Sequence, residues 1–250
     1  MSFCLIKIIS GIRVLGFAAS LAGQKKFVDK RTFIIFLLLC SVGCSAQTPK
    51  ELRDSLAAAV KELAYRPDSL DLRLKKAAWN LQLEQWDYAR EEYDYVLKMD
   101  KENVAALYYR AFANEKLGRL KFARLDYQAL LTIVPGNFEA QLGLALLNQK
   151  DKHYREALDM LNALCERHPG RSEAFAARGG VEVERKMYDL AIYDFTQAIA
   201  LEPDNTDYRL SRVDAYIKQG KKSDARRELD ILVTMGISKP SLLDLYKKTR

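Results

Sequence analysis

From about residue 70 onward the apolar positions of the chain recur in two alternating stripes, each at helical spacing and each closed by a turn signal. Between Val104 and Asn137 the first stripe carries Leu107 and Ala111, with the polar Asn114 next at the same helical spacing. Lys116-Leu117-Gly118-Arg119 interrupts it, and glycine is the usual residue just past a helix end. The second stripe is Leu120, Ala123, Tyr127, Leu130 and Leu131, closed by Pro135-Gly136-Asn137. Proline cannot continue a helix and asparagine can cap the next one. The pattern predicts helix, tight turn, helix, turn.

The same pattern returns every 34 residues. Ala89, Ala123, Ala157, Ala191 and Ala225 share one register, and Pro67, Pro135, Pro169 and Pro203 share another. This predicts five consecutive blocks, 70–103, 104–137, 138–171, 172–205 and 206–239. Small residues fill the eighth position of each block (Ala77, Ala111, Ala145, Gly179, with Val213 last) and the twentieth, where the alanines stand. Large ones fill the twenty-fourth: Tyr93, Tyr127, Leu161, Phe195 and Leu229. Small facing large lets helices approach closely while the space between neighbouring pairs is filled.

In its period, its alanine at twenty, its aromatic or leucine at twenty-four and its proline at thirty-two, the chain resembles the tetratricopeptide repeat family. The resemblance covers 70–239 without insertion. Lys101 and Ile237 replace the proline, and the fourth position is Arg73, Leu107, Gln141, Phe175 and Arg209 where the family prefers a large residue. It implies an all-α fold, an α-α solenoid in which antiparallel helix pairs wind into a right-handed superhelix. Such an array needs covered ends. Within 45–69, Thr48-Pro49-Lys50-Glu51 reads as a capping box opening a half-repeat helix to about Arg66. Within 240–250, a short helix after Pro240 with Leu242, Leu243 and Tyr246 reads as the C-terminal cap.

The seventh and twenty-third positions vary together. They are Lys76 with Glu92, Arg110 with Asp126, Arg178 with Asp194 and Arg212 with Glu228, and in the third block Leu144 with Met160. Charge meets charge and apolar meets apolar, so a structural ion pair inside each of four hairpins is expected. Asn80, Asn114 and Asn148 form a ladder at the eleventh position, read as hydrogen bonds between adjacent first helices.

Residues 1–44 follow no repeat. Lys30-Arg31 precedes the apolar run Phe33–Val42, which is short for a membrane span and suits a bacterial secretory signal. Ser41-Val42-Gly43-Cys44 resembles a lipobox, which implies lipidation at Cys44 and anchorage to a membrane facing the periplasm. Ordinary cleavage after Ala46 is the alternative and would leave a soluble periplasmic protein. Residues 1–27 are read as lying upstream of the true start, at Val28. The chain carries a net charge of +7, of which 1–44 contribute +5. The excess of base therefore belongs to the targeting segment and makes no case for nucleic acid.

Little in the repeats suggests chemistry. Cys165 stands at the twenty-eighth position, where other blocks have Leu97, Leu131, Ile199 and Val233, so it reads as core. His153 and His168 fall in turns, and no metal-ligand spacing or phosphate-cradling glycine loop is present. The expectation is a protein that is not an enzyme, with no cofactor and no metal. In proteins that this one resembles, first helices line a concave groove. Its counterpart here would be Leu74, Tyr108, Phe112, Leu142 and Leu146, with Lys116 and Lys150 at the margin and the small Ala176 and Gly180 leaving a pocket. Tyr108 and Phe112 are the expected main contacts. The function expected is a protein-protein interaction scaffold of the bacterial cell envelope, holding a helix or peptide of a partner. The alternative is a structural assembly subunit that uses its convex face or edges.

Overall fold

The computed structural model describes residues 48–249, and every regular element among them is helical. After α1 (Pro49–Tyr65) come ten helices in pairs: α2 (Leu70–Gln82) and α3 (Trp86–Met99), α4 (Val104–Lys116) and α5 (Leu120–Ile133), α6 (Phe138–Lys150) and α7 (Tyr154–Arg167), α8 (Ser172–Glu184) and α9 (Tyr188–Leu201), α10 (Thr206–Gln219) and α11 (Lys222–Thr234). A 3-10 turn (Lys239–Leu242) leads into α12 (Leu243–Lys248). The predicted signal, Cys44 and the two proposed cleavage points lie outside the described residues. Among the described residues no helix is long and apolar enough to cross a membrane.

The helix ends follow from local chemistry. The Thr48 amide donates to Glu51 Oε2 at 2.7 Å and the Glu51 amide to Thr48 Oγ1 at 3.3 Å, which is the expected capping box. Asn103 and Asn137 accept from the amides of Ala106 (3.0 Å) and Ala140 (2.8 Å), capping α4 and α6. Each first helix stops by the same device. The fifteenth residue of the block turns left-handed (Glu84, Gly118, Lys152, Lys186, Gly220; φ 57° to 83°). The next amide then returns to the carbonyl of the eleventh residue, as in Gln85 to Asn80 and Arg119 to Asn114, both at 2.8 Å. Only two of the five left-handed residues are glycine, although the other three carry a Cβ penalty there.

The chain divides into two compact units, with the division at Leu144/Ala145 inside α6. In the N-terminal unit each helix from α1 to α5 packs on its sequence neighbours. α1 is held by its buried stripe Leu52, Ala59 and Leu63. The core of this unit is built on Ala89, Ala111, Ala123, Tyr93 and Tyr127, none more than 1% exposed. Gly143 is required by that packing, because a Cβ there would lie 2.6 Å from the Tyr127 ring.

In the C-terminal unit helices α7 to α12 also pack on their neighbours. Ala157, Ala191 and Ala225 are fully buried, and Leu161, Phe195 and Leu229 fill the layers between pairs. Gly179 gives room to Phe195, whose ring carbons would stand 3.1 Å from an added Cβ. Val213, Ala225, Leu229 and Leu232 are covered by Leu242 and Tyr246. The turn after Pro240 is 3-10, so Leu242 faces inward and Leu243 is exposed, where the sequence pattern had put both on the capping face. Tyr246 donates its hydroxyl to Asp230 at 2.6 Å.

Candidate functional site

Each of the four cation–acid couples expected inside a hairpin is in contact. Lys76 reaches Glu92, Arg110 reaches Asp126, Arg178 reaches Asp194 and Arg212 reaches Glu228, all at 2.6 Å. The acids are almost fully enclosed, with Asp194 side-chain exposure down to 2%. Arg110 and Arg178 grip their aspartates through two nitrogens, Arg110 with Nε and Nη2 at 3.0 and 2.6 Å and Arg178 with the same pair at 2.6 and 2.7 Å. Burial pushes the Asp126 carboxyl up, and the Arg110 guanidinium pulls against it.

Two further sets of contacts were not anticipated from the sequence. The seventh-position arginine also reaches one hairpin back: Arg110 to Asp94 (2.9 Å), Arg178 to Asn162 (3.0 Å) and Arg212 to Thr196 (2.9 Å). The acceptor is always the twenty-fifth residue of the preceding block, and its chemistry varies, which hides the pattern. The other set begins at the fourth position. Arg73 and Arg209 donate to Glu92 and Glu228, both at 2.9 Å. Where the acid is the longer glutamate, position four supplies a second cation. Where it is aspartate, position four is Leu107 or Phe175. That covariation was available in the sequence. Arg73 and Gln141 also bind the carbonyls of Pro67 and Pro135, six residues earlier.

The asparagine ladder runs differently from the expectation. Asn114 donates to Asp126 Oδ2 at 3.4 Å and Asn148 to Met160 Sδ at 3.4 Å, so both amides bond across their own hairpin, where bonds between first helices were expected. The cause is register, since the eleventh and twenty-third residues face one another within a pair.

The expected groove positions differ in accessibility. In the N-terminal unit Leu74 and Lys116 are half-buried, and Leu142 is buried. Tyr108 and Phe112, the expected main contacts, are both enclosed. Tyr108 is fully buried, with its ring centroid 5.2 Å from Tyr109 and 6.0 Å from Tyr127. Phe112 is 7% exposed, set edge-on to Trp86 at 5.9 Å, and Lys116 Nζ lies 5.2 Å from its centroid. In the C-terminal unit Leu146, Ala176 and Gly180 are buried and Lys150 is exposed.

Comparison with known proteins gives these helix pairs their name. Two family models described as tetratricopeptide repeat match the chain, one over residues 80–138 and 140–206, the other over 182–233. The chain belongs to the tetratricopeptide repeat family. A curated relative, the DnaJ protein P58IPK homolog B of Oryza sativa subsp. japonica, is 28% identical over 151 residues. That match takes in 59% of this chain and 27% of the relative, so the chain spans about a quarter of its length. Among solved structures, a tetratricopeptide repeat protein from Parabacteroides merdae superposes with a TM-score of 0.68 at 20% identity, over 80% of this chain and 78% of its own. YrrB, described as a tetratricopeptide protein with an unusual peptide-binding site, superposes with a TM-score of 0.52 at 18% identity, over 76% of this chain and 98% of its own. At these identities the likeness is one of fold, and the fold is an all-α solenoid.

One tetratricopeptide position departs from its own ladder. The eleventh residue of the fourth block is Glu182, 5% exposed, beside Asp194 and Arg178. Burial first and the Asp194 carboxylate second push its pKa up to about 8, against the pull of Arg178. In its protonated form Glu182 can donate to Asp194 as Asn114 donates to Asp126. Cys165 lies close to the same group, and burial drives its thiol up to about 11. A thiol held protonated is a poor nucleophile. His168 is held below the ordinary imidazole range by burial and by Arg167 and Arg171. Among the described residues no group of three or more histidine, cysteine or acidic side chains could hold a metal ion.

Proposed function

We infer that this chain works as a protein-protein interaction scaffold, as tetratricopeptide chains in general do, and generally without catalysis. We propose that this one serves in the bacterial cell envelope and holds an apolar helix or extended segment of a partner protein along its first helices. The observation that carries the reading is compositional. The fifth and ninth positions of the first three pairs, the half-buried Leu74 and Ala78 and the buried Tyr108, Phe112, Leu142 and Leu146, hold no charge, and Lys116 and Lys150 follow them at the thirteenth. An apolar row edged by ammonium groups suits a partner segment that is apolar with acidic flanks. The peptide-binding site ascribed to YrrB is in keeping with it. In this reading residues 28–44 are the export signal and Cys44 carries the lipid, which keeps the repeats at a membrane surface facing the periplasm. No role for nucleic acid is proposed.

The test uses half-buried and exposed positions, so that binding and folding separate. Leu74→Glu combined with Lys150→Glu is expected to remove a cross-linked partner from envelope preparations while the circular dichroism melt stays unchanged. Undiminished cross-linking would refute the groove. Mass spectrometry of the mature N-terminus tests the address: a lipid on Cys44 supports it, and an intact Val28–Cys44 segment removes it.

A second reading, an assembly subunit working through its outer surface, is favoured by large apolar side chains exposed on the second helices. Phe122 and Leu125 on α5 are each 61% exposed, and Leu190 and Tyr193 on α9 are 50% and 59% exposed.

A further inference from the structure

The nineteenth and twenty-second positions point outward from every second helix, and their chemistry is uneven. They are Glu156 and Asp159 on α7, and Asp224 and Arg227 on α11, as a solvated helix face should be, and Tyr88 with Glu91 on α3, one large ring beside one charge. On α5 they are Phe122 and Leu125, and on α9 Leu190 and Tyr193. Single exposed apolar residues are ordinary, but two large ones on adjacent turns of one helix mark a contact surface.

The two faces differ in charge and shape. Beside Phe122 and Leu125 stand Arg119, 44% exposed and 3.6 Å from Asp87 of α3, and the exposed Lys121. These residues also border a cavity of about 370 Å³ between α3 and α5. Its lining joins the exposed apolar Phe122 and Leu125 to the enclosed polar group Arg110, Asn114 and Asp126. Arg90 closes one side, and its Nε–H is buried without an acceptor within hydrogen-bond distance. Such a cavity suits a side chain with an apolar body and a polar tip. The α9 face carries Tyr193, with Leu190 one turn before it and Asp189 alongside. The Asp189 side chain is 81% exposed and pairs with Lys221 at 3.2 Å.

We propose that the α5 face of one molecule docks the α9 face of a second copy of this chain, with Tyr193 entering the cavity and Asp189 meeting Arg119 and Lys121. Opposite charge selects this pairing, because α5 against α5 would bring arginine and lysine together and α9 against α9 would bring the two Asp189 carboxylates together. The contact is heterologous: each molecule offers one face and accepts the other, so chains join head to tail. The patch is small, so the association is weak, with a dissociation constant on the order of 10 μM. It deepens the assembly-subunit reading and is independent of the first-helix groove.

The experiment is sedimentation equilibrium of the full chain in mild detergent. The wild-type mass is expected to climb with concentration. Phe122→Glu and Tyr193→Glu should each remain monomeric alone, at least ten-fold weaker, with an unchanged circular dichroism spectrum. Mixed in equal amounts, they should return to two chains and no more, since one variant keeps a sound α9 and the other a sound α5. Leu125→Gln with Leu190→Gln repeats the test should a glutamate disturb folding, and Lys150→Glu should leave association untouched. A monomeric wild type overturns the proposal, as does a mixture that stays monomeric or grows beyond two chains. Association through residues 1–47 would persist in every variant and would overturn it too.

Discussion

The α4–α5 and α8–α9 hairpins share one 34-residue plan, and they solve the same buried-charge problem with different chemistry. In both an arginine clasps an aspartate through two nitrogens. The α4–α5 pair completes the site with Asn114, a neutral donor at 3.4 Å, and spends its remaining arginine nitrogen on Asp94, a half-exposed carboxylate. The α8–α9 pair has Glu182 where the asparagine stands, and the neutral Asn162 where Asp94 stands. It therefore holds two acids against one arginine and balances them only while one keeps its proton. A single plan thus tolerates either a permanently neutral neighbour or a titratable one beside the clasped aspartate.

The largest test of this contrast removes the cation. Arg178→Leu should cost about 3–5 kcal/mol in denaturant melts, because it leaves Asp194 buried and unpaired beside Glu182. Adding Asp194→Met, the arrangement of the third block, should recover most of that loss. Losses that simply add would mean the two side chains do not form one unit. Next comes the proton. The folded pKa of Glu182 lies above its unfolded value, so its contribution is intact below the ordinary glutamate range and declines as pH rises toward about 8. Glu182→Gln should therefore match the wild type near pH 4 and gain on it as pH rises, by up to about 4 kcal/mol at pH 8. Asn114→Asp should bring the same slope to the α4–α5 pair. Thermal melts across that range check both, and parallel curves would contradict a titrating Glu182. The smallest effect lies in the turns. Lys186 holds the left-handed conformation that Gly118 holds in the other hairpin. Lys186→Gly should gain about 0.5–1 kcal/mol, and Gly118→Lys should lose about 1 kcal/mol, as read from melting temperature.

Helix starts were open to reading because the period acts on many residues at once, and Leu70, Val104, Phe138, Ser172 and Thr206 each open a first helix. The pairing of positions seven and twenty-three was open for a similar reason: Leu144 and Met160 change character together where the charges disappear. The backward contacts of the same arginines were not. Their acceptors, Asp94, Asn162 and Thr196, share only a hydrogen-bonding oxygen, and no residue-type correlation marks them. Glu182 was passed over for a related reason, since in sequence it only ends a short asparagine ladder. Its meaning depends on lying beside an aspartate twelve residues on. Groove accessibility was the least legible. Tyr108 stands at a position read as lining, yet enclosure depends on what surrounds a ring, and helical spacing alone does not carry that.

Tyr246 gives the C-terminus a particular character. Asp230 is the twenty-fifth residue of its block, the place from which Asp94 receives Arg110, and Tyr246 stands sixteen residues beyond it as Arg110 stands beyond Asp94. The cap therefore imitates the opening of a sixth repeat, with a phenol in the role of a guanidinium. The last full hairpin is a template already primed to receive another, and six residues of mimicry occupy it. A chain cut before Pro240 would offer that template, with Leu229, Leu232 and a bare Asp230 carboxylate, to the first hairpin of its own kind that it met.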